Sequence, residues 1–527
     1  MTVTLPRAHA RPIPARAGAR QWLALAVLFL PTLLVAVDNT VLSFALPAIT
    51  TALVPSATTL LWMVDAYPLV LAGLLVTMGT VGDRIGVRRL LVVGVSGFGI
   101  VSLAASFATD AAHLVAARAL LGFFGAMLMP STLALIRSLF TDRDERRLAL
   151  AIWATGFAAG AALGPLVGGV LLAHFWWGSV FLVNVPVTVL IAVLAVVMLP
   201  EARHPLAGRL DLVGVALSLL AVAPIVLAVK LVGSGGSLPL AVAALAVGVG
   251  AAAGFVRRAR RLTAAGRDPV LDVRLLRSPV LRVAMLANLT TMAALTGLLF
   301  FSAQYLQLVL GLDPMRSGLL LLPGFVATVV AGLGAAALAR RFPIRTLVPA
   351  GLATAGAGYA LCVLLGTGTT GGLLVAAGVL VGSGIGLTET LTNDVVLTAA
   401  PVERAGSASA MSETAYELGA VLGTAVLGSV LTAVYRGRVD APAGPARETL
   451  GGAVDVATVT GDPALLDSAR GAFTLAVDVT AGVGAGWLVA VAVTAWVVLH
   501  RSRPRGPVSF RGAQLSRRAA RRRAPAS

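Results

Sequence analysis

The chain has 527 residues, of which 58% are hydrophobic and only 12% charged, a composition that excludes a soluble globular protein and marks an all-α polytopic membrane protein. The formal net charge is +18, yet the arginines fall in every second connection between apolar segments rather than along one face. No nucleic-acid partner is expected from that distribution.

A helix crosses the hydrocarbon with about 20 apolar residues. On that length the sequence predicts fourteen spans, at 22–46, 57–80, 89–108, 112–136, 148–172, 179–199, 210–231, 238–256, 283–309, 316–339, 346–366, 372–398, 409–435 and 474–499. Arg7 to Arg20 precede the first; Arg84, Arg88 and Arg89 follow the second; Arg143, Arg146 and Arg147 follow the fourth. The pattern continues with Arg203 and Arg209, Arg257 to Arg282, Arg340 to Arg345, Arg404 and a tail from Arg501 to Arg523. This positive-inside bias places both termini in the cytoplasm.

In chain order, 1–20 reads as an uncleaved cytoplasmic segment and 21–200 as a six-helix bundle. Residues 201–256 hold two inserted spans, 257–282 form a cytoplasmic linker, and 283–500 form a second six-helix bundle with an external loop at 436–473. The tail 501–527 is basic and reads as a disordered topology anchor, with binding to anionic lipid head groups as the alternative. An internal echo supports two related halves: Gly82-Asp83-Arg84-Ile85-Gly86-Val87-Arg88 after span two recurs loosely as Ala339-Arg340-Arg341-Phe342-Pro343-Ile344-Arg345 after span ten. The external loop, with Asp440, Glu448, Asp455, Asp462 and Asp467, reads as solvated and partly helical.

A carboxylate at mid-bilayer costs about 2.5–3.5 kcal/mol on insertion scales, so each one is a functional candidate. Asp38 lies near the middle of span one and Asp65, between Trp62 and Tyr67, in span two. Glu389 and Asp394 lie in span twelve; Glu413 and Glu417, four apart and so on one helix face, lie in span thirteen. Carboxylates so placed can exchange a proton for a cation. Arg118, in span four, needs a carboxylate or water as partner, and Asp38 and Asp65 are the candidates.

Gly79 to Arg89, with Gly79, Asp83, Arg84, Gly86 and Arg88, reads as a tight cytoplasmic latch that clasps the two bundles. In span five Gly156, Gly160, Gly164 and Gly168 recur at every fourth position, with Pro165 and Gly169 beside them, so one helix face is nearly bare. In lipid such a face is where another helix backbone comes close. No P-loop is present, Lys230 being the only lysine; the five histidines form no metal-ligand cluster; and Cys362 stands alone. No enzymatic activity, cofactor or metal is expected.

These motifs together resemble the fourteen-span drug:proton antiporter family of the major facilitator superfamily, of the quaternary-ammonium and multidrug efflux type. The likeness runs over Val37-Asp38-Asn39-Thr40, Trp62-Met63-Val64-Asp65-Ala66-Tyr67, the Gly79 to Arg89 loop, Arg118 with Gly122, and the span-five glycines with Pro165. It continues through Trp176 to Pro186 and from Glu403 through Glu413 to Gly419. The chain departs from the pattern at Leu121, where a glutamine is common, and at Thr328, where some dication carriers have an acid. The resemblance implies a major facilitator fold of two six-helix bundles plus two inserted helices, in a bacterial cytoplasmic membrane. It also implies a monomer that exports lipophilic cations against protons by alternating access, without a cofactor. Two other functions fit the sequence: a self-resistance exporter of an endogenous, possibly anionic, natural product, and a non-transporting scaffold or receptor, which the costly intramembrane acids disfavour.

Overall fold

The computed structural model describes residues 17–140, 142–201, 211–233, 235–265, 278–368, 371–399 and 405–501. The first 16 residues, linker residues 266–277, Glu403 with Arg404, and tail residues 502–527 lie outside the described residues, as do the side chains of Asp83 and Asp394.

Among the described residues the chain is helical throughout. The first bundle comprises α1 (Ala19–Leu53), α2 (Ala57–Ile85), α3 (Val87–Ser106), α4 (Ala111–Leu139), α5 (Arg143–His174), and the broken span α6 (Ser179–Leu182) and α7 (Asn184–Met198). The inserted pair is α8 (Leu212–Gly233) and α9 (Leu238–Ala264). The second bundle has α10 (Pro279–Gln304), extended by a π-helical turn at Tyr305–Val309, then α11 (Pro314–Ala339), α12 (Ile344–Cys362), α13 (Gly372–Ala399) and α14 (Ala405–Arg438). The short helices α15 (Pro445–Glu448) and α16 (Leu450–Thr460) lead into α17 (Pro463–Arg501).

Twelve of these helices are long and apolar enough to cross a membrane. The other two expected spans are helical as well: α5 runs for 32 residues and includes the apolar segments Leu148–Phe157 and Leu163–His174, while α12 carries Arg345 and three glycines in its 19 residues. Polar side chains start the helices where the sequence turns. Ser56 accepts from the Thr59 amide and Asp110 from the His113 amide, and Ser237, Ser278 and Asp313 cap helices that carry proline in the first turn.

Packing repeats between the halves. In the first bundle α1 lies on α5, α2 on α4, and α3 on α4 and α7; in the second α10 lies on α14, α11 on α13, and α12 on α13 and α17. Across the seam the fifth helix of each half meets the second of the other, α5 on α11 and α14 on α2. The inserted α8 packs on α9 and also against both α2 and α14, so it covers one of these two seams.

At the arginine-poor ends the bundles touch. Gly318 abuts the Pro165 backbone, Gly169 abuts Met315, and Gln307 donates to the Phe44 carbonyl at 3.2 Å. The 436–473 segment is partly helical, as expected, with Asp440, Asp462 and Asp467 exposed, but one face of it is packed. Leu450, Ala453 and Ala457 recur at helical spacing and are buried, Gly451 sits against Thr50 of α1, and α17 starts at Pro463, well before the expected residue 474. Glu448 accepts from the Ala57 amide of α2 at 3.2 Å and pairs with Arg436 of α14 at 3.2 Å, joining the halves at that end.

Candidate functional site

The glycine face of α5 is spent on α1. A Cβ on Gly160 would lie 2.5 Å from the Ala36 Cβ and 2.8 Å from the Leu33 carbonyl, one on Gly164 would strike the Thr40 hydroxyl, and one on Gly168 would lie 3.2 Å from the Phe44 Cβ. The run therefore seats the stretch of α1 that holds Asp38, while Pro165 and Gly169, on the flank of the same helix, meet α11 of the other half. Gly160→Ala is expected to displace α1 and to cost about 1–3 kcal/mol of stability, with transport falling roughly tenfold or more. Gly168→Ala, with more room, should be close to neutral; thermal unfolding and transport rate of the two variants side by side check the gradient.

Asp38 is almost fully buried and doubly held. Arg118 Nη1 donates to Asp38 Oδ2 at 2.7 Å and Asn184 Nδ2 to Oδ1 at 2.8 Å. The guanidinium is completed by Nε donating to the Met63 carbonyl at 3.2 Å and by the Tyr67 ring, whose centroid lies 4.5 Å away. Gly122, one turn beyond Arg118, brings α4 against the Tyr67 backbone, where any side chain would collide. Of the two acids expected as partners of Arg118, the structure selects Asp38.

Asp65 belongs to another pair. Its Oδ2 lies 2.8 Å from the ammonium of Lys230, both side chains are 0% exposed, and the ammonium stands 3.9 Å from the centroid of Trp62. Lys230 comes from inserted helix α8 and entered the sequence reading only as a sign that no P-loop exists. Its neighbours on α8 pack into the same seam, Val226 against Leu69, Val421 and Ala425, and Gly233 against Ser429.

The second bundle is built differently. Asn288 Nδ2 donates to Ser412 Oγ at 2.8 Å, the Thr392 hydroxyl donates to Asn288 Oδ1, and Asn393 Nδ2 donates to the Tyr416 hydroxyl at 3.1 Å. This polar lattice ties α10, α13 and α14 together. Around it stand Glu389, accepting from Thr291 at 3.4 Å, and Glu413 and Glu417 on one face of α14. These three glutamates are half-buried, and among the described residues no ion pair neutralises them. The α14 helix that carries Glu417 packs across the seam on α2, whose Tyr67 covers Arg118. The sequence reading missed the lattice and also Asp478, an acid that lies near the start of the expected span 474–499 but well inside α17, which starts at Pro463.

At the expected latch Gly86, Arg88 and Arg89 meet the chain just after α7. Gly86 closes α2 and opens α3 with φ +107°, a conformation that favours glycine, and a Cβ there would strike the Glu201 carboxylate. Arg88 and Arg89 lie 3.6 and 3.7 Å from Glu201, and Arg88 Nη1 donates to the Leu199 carbonyl at 3.1 Å, so these contacts stay within the first half, just after α7. Gly79 lies against Pro130 of α4, and Arg84 is exposed.

A paired acid and base at the centre of one bundle, three carboxylates at the centre of the other, and a packing pattern repeated between them describe a solute carrier. The family profile described as Major Facilitator Superfamily matches residues 28–424. The chain belongs to the major facilitator superfamily. Members of this family move solutes and are not enzymes, and the chain is a multi-pass membrane protein of that kind. It is 48% identical to the multidrug efflux pump LfrA of Mycolicibacterium smegmatis over 93% of this chain and 98% of that one. It is 35% identical to the methyl viologen resistance protein SmvA of Salmonella typhimurium over 92% and 100%, and 36% identical to the puromycin resistance protein pur8 of Streptomyces alboniger over 78% and 82%. Among solved structures, a bacterial homologue of the human lysosomal transporter Spinster, in an inward-facing and occupied conformation, shares the major facilitator fold with a TM-score of 0.66 at 15% identity, over 92% of this chain and 98% of that one.

Proposed function

We propose that this major facilitator protein exports amphipathic, cationic drugs in exchange for protons by alternating access. The observation that carries the reading is the contrast between the halves: the intramembrane acids Asp38 and Asp65 are matched by Arg118 and Lys230, whereas Glu389, Glu413 and Glu417 are half-buried without a cationic partner among the described residues. A lipophilic cation or protons supply the missing positive charge, and binding one displaces the other. Asp38 with Arg118 couples that exchange to rearrangement, because α14, which carries Glu413 and Glu417, packs across the seam on α2, whose Tyr67 covers Arg118. Asp394 is carried as a further member of the group.

The arginine-rich ends face the cytoplasm of a bacterial cell, with both termini on that side. One proton moving inward through 100 mV releases about 2.3 kcal/mol, more than the ~1.4 kcal/mol of a tenfold gradient of a neutral drug; for a monovalent cation the potential term cancels, and the pH gradient drives a one-for-one exchange. No further cofactor is required, and each monomer holds a complete set of these groups. The drug-resistance and efflux names of the relatives agree with this direction of transport.

A second reading, a self-resistance exporter of one natural product, is favoured by the relative named tetracenomycin C resistance and export protein, from Streptomyces glaucescens, at 34% identity. One experiment separates them. In proteoliposomes with an imposed pH gradient, tetraphenylphosphonium is expected to drive proton release by the wild-type protein. If no cation on a panel does so while an anionic metabolite moves, the cargo assignment is wrong.

A further inference from the structure

The Asp65–Lys230 pair has the chemistry of a cation-binding site that the chain fills itself. A carboxylate beside an indole face, closed off from water, is the arrangement that recognises quaternary and alkyl ammonium ions. Here the carboxylate oxygen is 2.8 Å from the ammonium and the indole centroid 3.9 Å from it, with Thr424 of α14 alongside Asp65. The bound group is an alkyl ammonium tethered through α8, a helix outside the two bundles that packs against both α2 and α14. A tethered ligand acts at a high effective concentration and excludes a free one of the same kind.

The residue type matters too. The chain has 41 basic residues, and Lys230 is the one that is not arginine. A compact ammonium fits between a carboxylate and a ring face as a point charge, where a planar guanidinium needs a wider space and a bidentate partner. Inserted helix α8 thus carries a specific cation into the seam, in addition to whatever space it fills.

We propose that Lys230 is a specificity-determining plug: it occupies an alkylammonium cage made by Asp65 and Trp62, and so confines cation cargo to the Glu389, Glu413 and Glu417 group. This rests on the reading of cations as cargo. Its consequence is that removing the plug creates a second cation site with different preferences, small and compact, set by the space the ammonium leaves.

The test is rescue of the purified protein by a free ammonium. Lys230→Ala should be stabilised against heat by tetramethylammonium or methylammonium in a saturable manner, with the apparent Kd at least tenfold lower than in Asp65→Asn/Lys230→Ala, and Trp62 fluorescence should respond in the first variant alone. The wild type, whose cage is filled, should show neither change. Where Lys230→Ala is not recovered folded, Lys230→Ser, whose side chain is also too short to reach into the cage, takes its place in the same titration. Equal response of the single and double variants, or no response of either folded single variant, overturns the proposal. Tetraphenylphosphonium binding to the wild type is measured in parallel. Its absence would sink the cation-cargo reading, whereas its presence with no rescue would sink only the plug.

Discussion

Asp38→Asn is expected to abolish proton-driven drug transport, by about a hundredfold or more, and to destabilise the protein by about 3–5 kcal/mol. The stability loss follows from what remains. Arg118 is 1% exposed and would keep the Met63 carbonyl, the Tyr67 face and at most a neutral amide oxygen, since an asparagine at this position cannot supply the charge that balances the guanidinium. Breaking one side of a buried pair leaves the other charge uncompensated, which costs more than the pair itself contributes. Asp38→Asn/Arg118→Met removes both charges and is therefore expected to regain most of the stability. It should not regain coupling, because the pair whose strength responds to charge at the seam is gone. Thermal unfolding of the wild type and both variants, with drug-driven proton release from each in proteoliposomes, separates the two effects. A double variant that transports as the wild type does would remove Asp38 from the coupling machinery.

That the single variant should fail for two reasons at once reflects how depth and direction are encoded. Depth is readable from one strand of text: Asp38, Arg118 and the glutamates of α13 and α14 each interrupt an apolar run, and their distance from its ends gives their level in the membrane. Direction around the helix axis is readable only when a face is marked. The α5 glycines mark one by their spacing of four, yet nothing in that spacing says that α1 lies on it and that Pro165 and Gly169 look to α11. Lys230 shows the same limit, since it meets Asp65 across 165 positions of chain and two different structural units.

Other elements were legible and went unread. Leu450, Ala453 and Ala457 follow a helical period within a segment whose acids suggested a solvated loop; the apolar face is short because α16 has only 11 residues, and it packs on the end of α1. The Asn288–Ser412–Asn393–Tyr416 lattice was not legible, because single amides and hydroxyls in a span are as often bonded to their own helix, as Thr40 and Thr328 are here. The repeated packing of the two halves, by contrast, was signalled by the echo of the Gly82 to Arg88 loop at Arg340 to Arg345, and the inserted pair by the two spans left over between them.

Glu389→Gln/Glu413→Gln/Glu417→Gln is expected to weaken tetraphenylphosphonium binding by at least a hundredfold, about 2.7 kcal/mol, with little change in folding. At an effective dielectric of about 20, a carboxylate 5 Å from a cation attracts it by roughly 3 kcal/mol, and the cation's own desolvation removes much of that, so about 1 kcal/mol per charge is the net expectation. Three such contributions set the size of the effect, and each single variant should show a fraction of it. Folding is spared because no cation pairs with these acids among the described residues, and the Asn288 lattice that joins the helices does not pass through them. Glutamine also retains an acceptor for Thr291 at position 389. A neutral drug of similar size should bind the triple variant as it binds the wild type, but its export should no longer release protons, since the groups that carry them are gone. Isothermal titration with the cation and the neutral drug, beside proton release from proteoliposomes, reads both. Cation binding undiminished in the triple variant would move the cargo site elsewhere, and proton release undiminished would move the coupling site back to Asp38 alone.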